Sequence, residues 1–294
     1  MKAIESSFVV QSCTLRLEAI LPELKPAERR VASYILDEPQ DVLNSTIQEL
    51  AVKTETSYAT VTRLIARIGL KGFKELKKLL YEDTLHSHSL DTLDVLSIVQ
   101  GTSAKDICQE IYELFSEILR ESYNLVNADV LEQAADLLLH ARTVCFVGTG
   151  LSALCAHYAY NQMMRIGINC IFDEDCTNYK IRTSLLEKED VLFAVSSSGR
   201  SMNILECAKI AQENEVPVIS LSDYAISPLT QLSTVTLFTT PRNSARFMHI
   251  DMPLLFGQIY LLASLFALCC SRKGKAAAEL FSKTCPVTDA EKVR

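Results

Sequence analysis

The spacing of apolar residues divides the chain into two parts with different periods. Between residues 15 and 85 apolar positions recur every three to four residues, the period of amphipathic helices, and no alternating pattern typical of a strand stands out. The pattern predicts an amphipathic segment from Leu15 to Leu24, a helix that starts at Pro26 and stops before Pro39, and helices at about 41–44, 46–53, 57–68 and 72–82. The first part is therefore predicted to be all helical.

From residue 129 onward, short apolar runs alternate with helical stretches. Strands are predicted at 143–147, 168–172, 190–195, 216–221 and 234–239. Helices are predicted at 129–141, 152–166, 176–186, 201–214, near 228–232 and after Phe247. Apolar strands that alternate with helices indicate an α/β domain with a five-stranded parallel sheet covered by helices on both faces.

A polar connector and one long helix separate these two parts. Residues 86–104 are weakly patterned, and a helix is predicted from Lys105 to Asn127 with apolar residues along one side. The predicted organisation is a helical domain at 1–85, a linker and connecting helix at 86–127, an α/β domain at 128–275 and a C-terminal tail at 276–294.

The composition is that of an ordinary globular protein in a reducing compartment. Of the 294 residues, 48% are hydrophobic and 22% are charged, as in ordinary globular proteins. The length is sufficient for two domains with separate cores. The ten scattered cysteines include no C-x-x-C pair, which argues against a disulfide framework and a zinc site. Residues 1–12 lack the apolar run of a secretory signal. We therefore expect a cytoplasmic protein and predict neither a metal site nor a cofactor.

One apolar stretch has the length of a membrane span. Met252–Cys270 is almost wholly apolar and is followed by basic residues. It is interrupted by Pro253, Gly257, Gln258 and Ser264. Because the stretch also follows a complete α/β pattern, we interpret it as a core helix, buried nearly all round against the sheet, and predict no membrane partner.

A serine-rich loop follows the third predicted strand. The five apolar residues 191–195 lead directly into Ser196, Ser197, Ser198, Gly199, Arg200 and Ser201, where a helix begins. Unpaired backbone N–H groups and the positive end of the helix dipole favour an anion at such a position. Serine hydroxyls add neutral donors, so the loop predicts binding of a phosphorylated small molecule.

A glycine-containing turn follows the first predicted strand. Gly148 and Gly150 flank Thr149, the glycines allow close backbone approach, and Ser152 is a candidate cap for the next helix. A lone Gly-x-Gly is weak evidence, since it also suits a simple strand-to-helix turn, and the third glycine of a dinucleotide site is missing. The turn gains weight because ligands of open α/β sheets gather where strands end.

Residues 45–68 fit a helix-turn-helix motif. Ile47, Leu50, Ala51, Val61, Leu64 and Ile65 are predicted to form the small core between its two helices. The other face of the second helix offers Ser57, Tyr58, Thr60, Thr62, Arg63 and Arg67 to DNA. The net charge of the chain is −7, yet residues 53–78 carry seven basic residues against two acids, which is typical of a phosphate-backbone contact. A plain helical pair with a solvated basic face fits the same pattern.

Several segments resemble one family of bacterial regulators. Leu24–Pro39, Ser45–Ala51, Ser57–Arg63 and Ile68–Lys77 resemble the N-terminal domain of RpiR-type transcriptional regulators. The C-terminal half is similar to the sugar isomerase (SIS) domain that those regulators carry. One departure is Lys53–Ser57, where the family usually has a glycine-containing turn, so the angle between the two helices is open.

The helix-turn-helix pattern predicts one set of binding residues, and the resemblance implies a second. For a sugar phosphate it implies Gly148, Thr149, Gly150, Ser152, Ser196, Ser198, Gly199 and Ser201, to which Ser197 and Arg200 are added from the loop itself. Leu151 departs from the more frequent small polar residue. For DNA the predicted contacts are Thr46, Ser57, Tyr58, Thr60, Thr62, Arg63, Arg67, Lys71 and Lys74.

The predicted function is that of a DNA-binding transcriptional regulator controlled by a phosphorylated sugar. Related isomerases commonly have Glu at the position of Arg200; arginine cannot act as the base for isomerisation, although it can grip phosphate. His249 keeps a sugar-phosphate isomerase open as the alternative, and a sugar-phosphate-binding protein that regulates an enzyme by contact is a third reading. No catalytic residue is assigned. Expected partners are a palindromic double-stranded operator and further copies of the chain, as a homodimer or homotetramer.

Overall fold

A computed structural model describes residues 12–87, 103–240 and 252–289 of the chain. The chain forms two compact units that divide near residue 114. In the first unit a short 3₁₀ turn at Leu21–Glu23 follows the first helix. Its helices up to the connector are α1 Cys13–Ile20, α2 Pro26–Asp37, α3 Pro39–Asn44, α4 Ile47–Lys53, α5 Tyr58–Arg67 and α6 Phe73–Ser87.

The ends of these helices follow from residues that the sequence supplies. Pro26 and Pro39 occupy first-turn positions of α2 and α3, where a missing N–H costs nothing. The Thr46 side chain accepts the Glu49 N–H and the Glu49 carboxylate accepts the Thr46 N–H, which is a capping box at the start of α4. The Ser57 hydroxyl caps α5 in the same way, by accepting the Thr60 N–H.

One hydrophobic core holds the helices of this unit together. The residues predicted to lie between α4 and α5 are confirmed in it: Leu50, Ala51, Val61, Leu64 and Ile65 are buried, with Ile47 partly buried against them. The buried Arg16 of α1 donates to the Ile68 carbonyl over 3.1 Å, so the first helix is also fixed to the end of α5.

The second unit consists of a β-sheet with helices packed on both of its faces. Its helices are α7 Ala104–Asn124, which runs across the division, then α8 Ala128–His140, α9 Leu151–Arg165, α10 Cys176–Ser184, α11 Met202–Glu213, α12 Pro228–Leu232, α13 Met252–Lys273 and α14 Lys275–Asp289. Its strands are β1 Val144–Gly148, β2 Cys170–Phe172, β3 Val191–Val195, β4 Val218–Asp223 and β5 Val235–Thr239.

The five strands form one parallel sheet in the order β2-β1-β3-β4-β5. Alternate residues of each strand point to opposite faces, so Phe146 and Phe193 join a core with α8, α9 and α13, whereas Cys145 and Leu192 join a core with α10, α11 and α12. The predicted five-stranded parallel sheet, covered on both faces, is confirmed.

Helix α13 differs from its prediction in how deeply it is buried. Leu255–Lys273 is long and apolar enough to cross a bilayer by length and composition, a test that core helices also pass. Leu261, Leu262, Leu265 and Cys269 lie in the core. Most other residues of 255–270 are half-buried, and Ala267 is the one that is exposed, so the helix is covered nearly all round but less deeply than expected.

Several element bounds also differ from the sequence prediction. Helix α6 continues to Ser87, five residues past its predicted end, and α7 ends at Asn124. The segment predicted only as a C-terminal tail is helical through Asp289, and Ala277 within it is a core residue. His249 and most of the connector, including His88, lie outside the described residues.

Candidate ligand site and DNA interface

The two loops predicted to bind phosphate follow adjacent strands. Gly148 at the end of β1 pairs with Val195 at the end of β3. The strand order changes direction between these two strands, and ligands of open α/β sheets bind at such a switch point. The hydroxyls of Thr149 and Ser201 lie 3.2 Å apart and hydrogen-bond, so the structure brings the two motifs together.

Backbone hydrogen bonds fix the course of the serine loop. The Ser196 N–H donates to the Leu221 carbonyl over 3.0 Å, and the Gly199 N–H turns back to the Ser196 carbonyl over 3.0 Å. Gly199 has φ +60, and a Cβ there would overlap the Ser227 side chain. Only glycine therefore satisfies both the backbone angle and the packing at this position.

The start of α11 is left available to an anion. Ser201 is the N-cap residue, but its side chain makes no capping hydrogen bond. Instead its hydroxyl faces Thr149, so the N-cap side chain leaves the first N–H groups of α11 uncapped. Ser198 and Arg200 are exposed, Ser197 is half-buried and Ser196 is buried, which grades the loop from protein interior to surface. The arrangement can bind an anion through N–H and hydroxyl groups.

The glycine turn is built differently from the prediction. Gly150, with φ +58, is the N-cap residue of α9, and Ser152 is the second residue of the helix, buried and not at the capping position. The predicted capping role of Ser152 is therefore wrong. A Cβ at Gly148 would lie 2.6 Å from the Ser152 carbonyl oxygen, so this glycine lets the helix start pack directly against the end of β1.

Sequence reasoning missed one polar residue of this site. The Gln258 side chain in α13 is 1% exposed and donates to the Ser197 hydroxyl over 2.8 Å. Its only signal in the sequence was a polar residue at the centre of an apolar run, which had served to argue against a membrane span. A buried amide needs a partner, so such a residue indicates a polar group nearby in the fold.

Two cysteine thiols close to the glycine turn in the chain are protonated at neutral pH. Cys145 in β1 and Cys155 in α9 flank the glycine turn along the chain, and burial raises the pKa of each thiol to about 12. Both stay protonated at neutral pH and are poor nucleophiles. Arg200 makes no ion pair with any described carboxylate, which leaves its guanidinium available to an anion.

In the first unit, the predicted DNA-binding face of α5 is exposed. Ser57, Thr62, Arg63 and Arg67 are exposed, and Tyr58 is 54% exposed. Thr60 is half-buried and shares a hydrogen bond with Ser57. Thr46 is exposed at the start of α4, the helix that precedes α5 in the chain. The face is thus rich in hydroxyl and guanidinium donors, which suit phosphates and base edges.

The turn between α4 and α5 holds an unfavourable backbone angle without glycine. Glu55 has φ +50, in the left-handed region that side chains disfavour. Arg30 of α2 donates to the Thr54 carbonyl over 3.2 Å and to the Glu55 carbonyl over 3.1 Å. These bonds compensate for the missing glycine and set the geometry between the two helices, a role that the sequence analysis did not assign to Arg30.

Ion pairs reduce the number of cations available to DNA. Lys53 lies 2.5 Å from the Asp41 carboxylate, and this pair lowers the pKa of Asp41. Arg67 lies 3.4 Å from Glu28, so it is partly neutralised as well. Arg63, Lys71 and Lys74 make no ion pair in the part of the chain that the structure describes. These three are the strongest candidates for phosphate contacts.

A helix-turn-helix unit followed by an α/β unit of this topology defines a class of transcriptional regulators. The model of the helix-turn-helix domain of the rpiR family matches residues 13–87, and that of the SIS domain matches residues 137–261. An HTH-type transcriptional regulator of Caldanaerobacter subterraneus subsp. tengcongensis is 30% identical over 270 residues, which cover 91% of this chain and 94% of that protein. The chain belongs to the rpiR family of transcriptional regulators.

Two further similarities support this assignment. The regulator HexR of Escherichia coli strain K12 is 27% identical over 222 residues, 76% of this chain and 75% of HexR. The structure of Vibrio vulnificus NanR complexed with ManNAc-6P aligns with a TM-score of 0.60 at 26% identity and covers 96% of this chain and 100% of that one. HexR and the Caldanaerobacter protein are named as HTH-type transcriptional regulators, so the prediction of a transcriptional regulator is confirmed.

Proposed function

We propose that the protein binds an operator through α4 and α5 and that a phosphorylated sugar bound between the loops after β1 and β3 changes its affinity for that operator. The observation that carries the proposal is the Thr149–Ser201 hydrogen bond. It joins two donor-rich loops at the switch point of the sheet, within a chain that also holds a helix-turn-helix unit. A regulator with such a site has the means to read a small anion.

The proposed ligand contacts follow from the loop geometry. Phosphate oxygens accept from the N–H groups at the start of α11 and from the hydroxyls of Ser197, Ser198 and Ser201. Gly148, Thr149, Gly150 and Ser152 form the opposite side, and Ser196, Gly199 and Arg200 complete the loop. Ser197 accepts from Gln258, so its own hydrogen is free to point at the ligand.

The relative of known structure suggests the ligand class to test first. The solved structure of Vibrio vulnificus NanR is that of the protein complexed with ManNAc-6P, a phosphorylated sugar. We propose a ligand of the same broad class for this chain, with the regulated genes serving carbohydrate or amino-sugar metabolism. Such a regulator acts in the cytoplasm, where both DNA and phosphorylated sugars are found.

The proposed DNA contacts place α5 in the major groove. Ser57, Tyr58, Thr60, Thr62 and Arg63 lie on its donor-rich face. Phosphate contacts come from Thr46, Arg63, Arg67, Lys71 and Lys74. A palindromic operator requires a two-fold symmetric reader, so we propose that the chain works as a homodimer or homotetramer.

A thermal-shift screen tests the ligand half of this proposal. The purified protein is heated with phosphorylated sugars, amino-sugar phosphates including ManNAc-6P, their acidic derivatives and the corresponding unphosphorylated sugars. Ligand at about 100 times its Kd adds about 2.7 kcal/mol to the free energy of unfolding and raises the melting temperature. A phosphorylated compound that stabilises the wild type but not Ser198→Ala supports the site. Equal stabilisation of Ser198→Ala would show that the site lies elsewhere.

A further inference from the structure

A basic groove lies between α3 and α6 in the first unit. Its volume is about 870 Å³, and the described residues that line it include four lysines, Lys71, Lys74, Lys77 and Lys78, and one carboxylate, Glu75. Gln40 and Asn44 line the α3 side, and Tyr81, 55% exposed, closes one end. Leu43 and much of the remaining lining are apolar, so the groove is open, with an apolar floor and lysines that supply its positive charge, which fits an extended polyanion.

The cationic wall of the groove is one face of α6. Lys74, Lys77, Lys78 and Tyr81 follow the spacing i, i+3, i+4 and i+7, so they lie on the same side of the helix. With a rise of about 1.5 Å per residue, this stripe extends over about 10 Å. The Lys77 ammonium donates to the Ser45 carbonyl over 3.1 Å and fixes this wall to the end of α3.

The groove adjoins both ends of the helix-turn-helix pair in the chain. Its α3 wall leads through Ser45 into the N-cap of α4, and Lys71 follows directly after the turn that ends α5. The Glu49 carboxylate already occupies the start of α4, since it accepts the Thr46 N–H over 2.7 Å. Lysines of the groove, and not the helix end, therefore supply the positive charge beside the motif.

We propose that this groove binds the sugar-phosphate backbone of the DNA that flanks the segment contacted by α5. The inference rests on the proposed DNA-binding function, in which Lys71 and Lys74 already contact phosphates, and extends that contact to Lys78, Gln40 and Asn44 of the same groove. Lys71, Lys74 and Lys78 contact successive phosphates, and Gln40 and Asn44 donate to backbone oxygens from the opposite wall. The surface fixes orientation on the duplex and is independent of base sequence.

The experiment measures the salt dependence of binding to a random-sequence duplex by fluorescence anisotropy. The variant is Lys74→Gln with Lys78→Gln, both exposed residues. The slope of log K against log salt is negative, and each lost phosphate contact makes it less negative by about 0.9. The slope of the double variant is therefore expected to be less negative by about 1.8. A duplex of two helical turns should bind the wild type more tightly than one of a single turn, and the variant should lose most of this gain.

Two further variants control for charge and fold. Lys25→Gln with Lys209→Gln removes the same charge at exposed sites outside the groove and should keep the wild-type slope. Lys74→Arg with Lys78→Arg should also keep it. Circular dichroism melting of each variant reports its fold.

The outcomes separate the groove from the proposed function. An unchanged slope in the glutamine variant, with wild-type binding intact, overturns the groove and with it Lys74 as a phosphate contact, but leaves the proposed contacts of α5 in place. An equal loss in the charge control also overturns the groove. A wild type that fails to bind any duplex overturns both proposals. If the glutamine variant loses affinity for poly-glutamate and keeps its DNA slope, the groove serves an acidic protein segment instead.

Discussion

The side-chain amide of Gln258 donates a 2.8 Å hydrogen bond to the hydroxyl of Ser197, and so joins α13 to the loop after β3. Gln258 is 1% exposed, and an unsatisfied buried donor costs about 1–3 kcal/mol, so the contact is strongly favoured. Because Ser197 accepts this bond, its own O–H is directed elsewhere. The contact therefore prepares a donor in the proposed ligand site.

Replacing Gln258 by Met keeps the side-chain length and removes the donor. We expect the affinity for the sugar phosphate found in the thermal-shift screen to fall about 5-fold, since one hydrogen bond contributes about 1 kcal/mol. Isothermal titration calorimetry measures the change. Ser264→Ala on the same helix, where the hydroxyl donates to the Tyr260 carbonyl, is the control and should bind normally. Unchanged affinity in Gln258→Met would show that the hydrogen bond from Gln258 to Ser197 does not contribute to ligand binding.

The two proposed binding functions should be separable by single substitutions. Arg63→Ala removes an exposed guanidinium from α5 and should weaken DNA binding about 10-fold or more, because a good base or phosphate contact contributes about 1–3 kcal/mol. Its affinity for the sugar phosphate should not change. Ser198→Ala should show the opposite pattern. Anisotropy with labelled duplex and calorimetry with ligand measure both affinities; a variant that loses both functions would contradict the separation.

The sequence predicted most of the fold because its signals were local. Pro26, Thr46 and Ser57 mark helix starts by their own chemistry, and apolar runs such as 191–195 mark buried strands. The pairing of the two loops also followed from a general rule of parallel sheets. The site itself was predicted only as a set of residues near one edge.

The contacts that the sequence did not reveal all join residues far apart in the chain. Gln258 is 61 residues from Ser197, and Arg30 is 25 residues from Glu55. Neither pair has a periodic pattern, since only the packed fold brings the partners together. The burial of α13 was overestimated for a related reason: an apolar composition does not show how deeply each side of a helix is buried.

Glu55→Gly should stabilise the protein. Glycine adopts φ +50 at no steric cost, whereas an L-residue loses about 1–2 kcal/mol there, and the greater freedom of glycine in the unfolded chain offsets part of the gain. We expect the free energy of unfolding to rise by about 0.5–1 kcal/mol in urea titrations. Ala66→Gly, in α5, is the control of opposite sign and should lose up to about 1 kcal/mol. Destabilisation by Glu55→Gly would mean that its side chain has a structural role.

The Arg142–Asp190 pair should make stability depend on acid pH. Arg142 donates to Asp190 over 2.9 and 2.6 Å, and this holds the pKa of the carboxyl below its usual range. A depressed folded pKa adds stability above the unfolded pKa of about 3.9, which is lost as pH falls through the folded value. Asp190→Asn should therefore cost about 1–2 kcal/mol at pH 7 and much less near pH 3.

Urea unfolding at the two pH values measures this difference. Glu187→Gln is the matched control, because Glu187 is 65% exposed and pairs with the same Arg142 at 2.7 Å. An exposed pair contributes at most about 1 kcal/mol, so this variant should stay close to wild type at both pH values. If Asp190→Asn lowers the free energy of unfolding equally at both pH values, the loss comes from packing and not from the charge of Asp190.

A sugar phosphate bound at the β1 and β3 loops should change the affinity of the protein for DNA. The most direct measurement is the Kd for a duplex that the protein itself enriches from a random-sequence pool, determined by anisotropy with and without saturating ligand. We predict a change of about 5-fold or more with the sugar phosphate, no change with the unphosphorylated sugar, and no change in Ser198→Ala. An identical Kd with a ligand that demonstrably binds the wild type would contradict the claim.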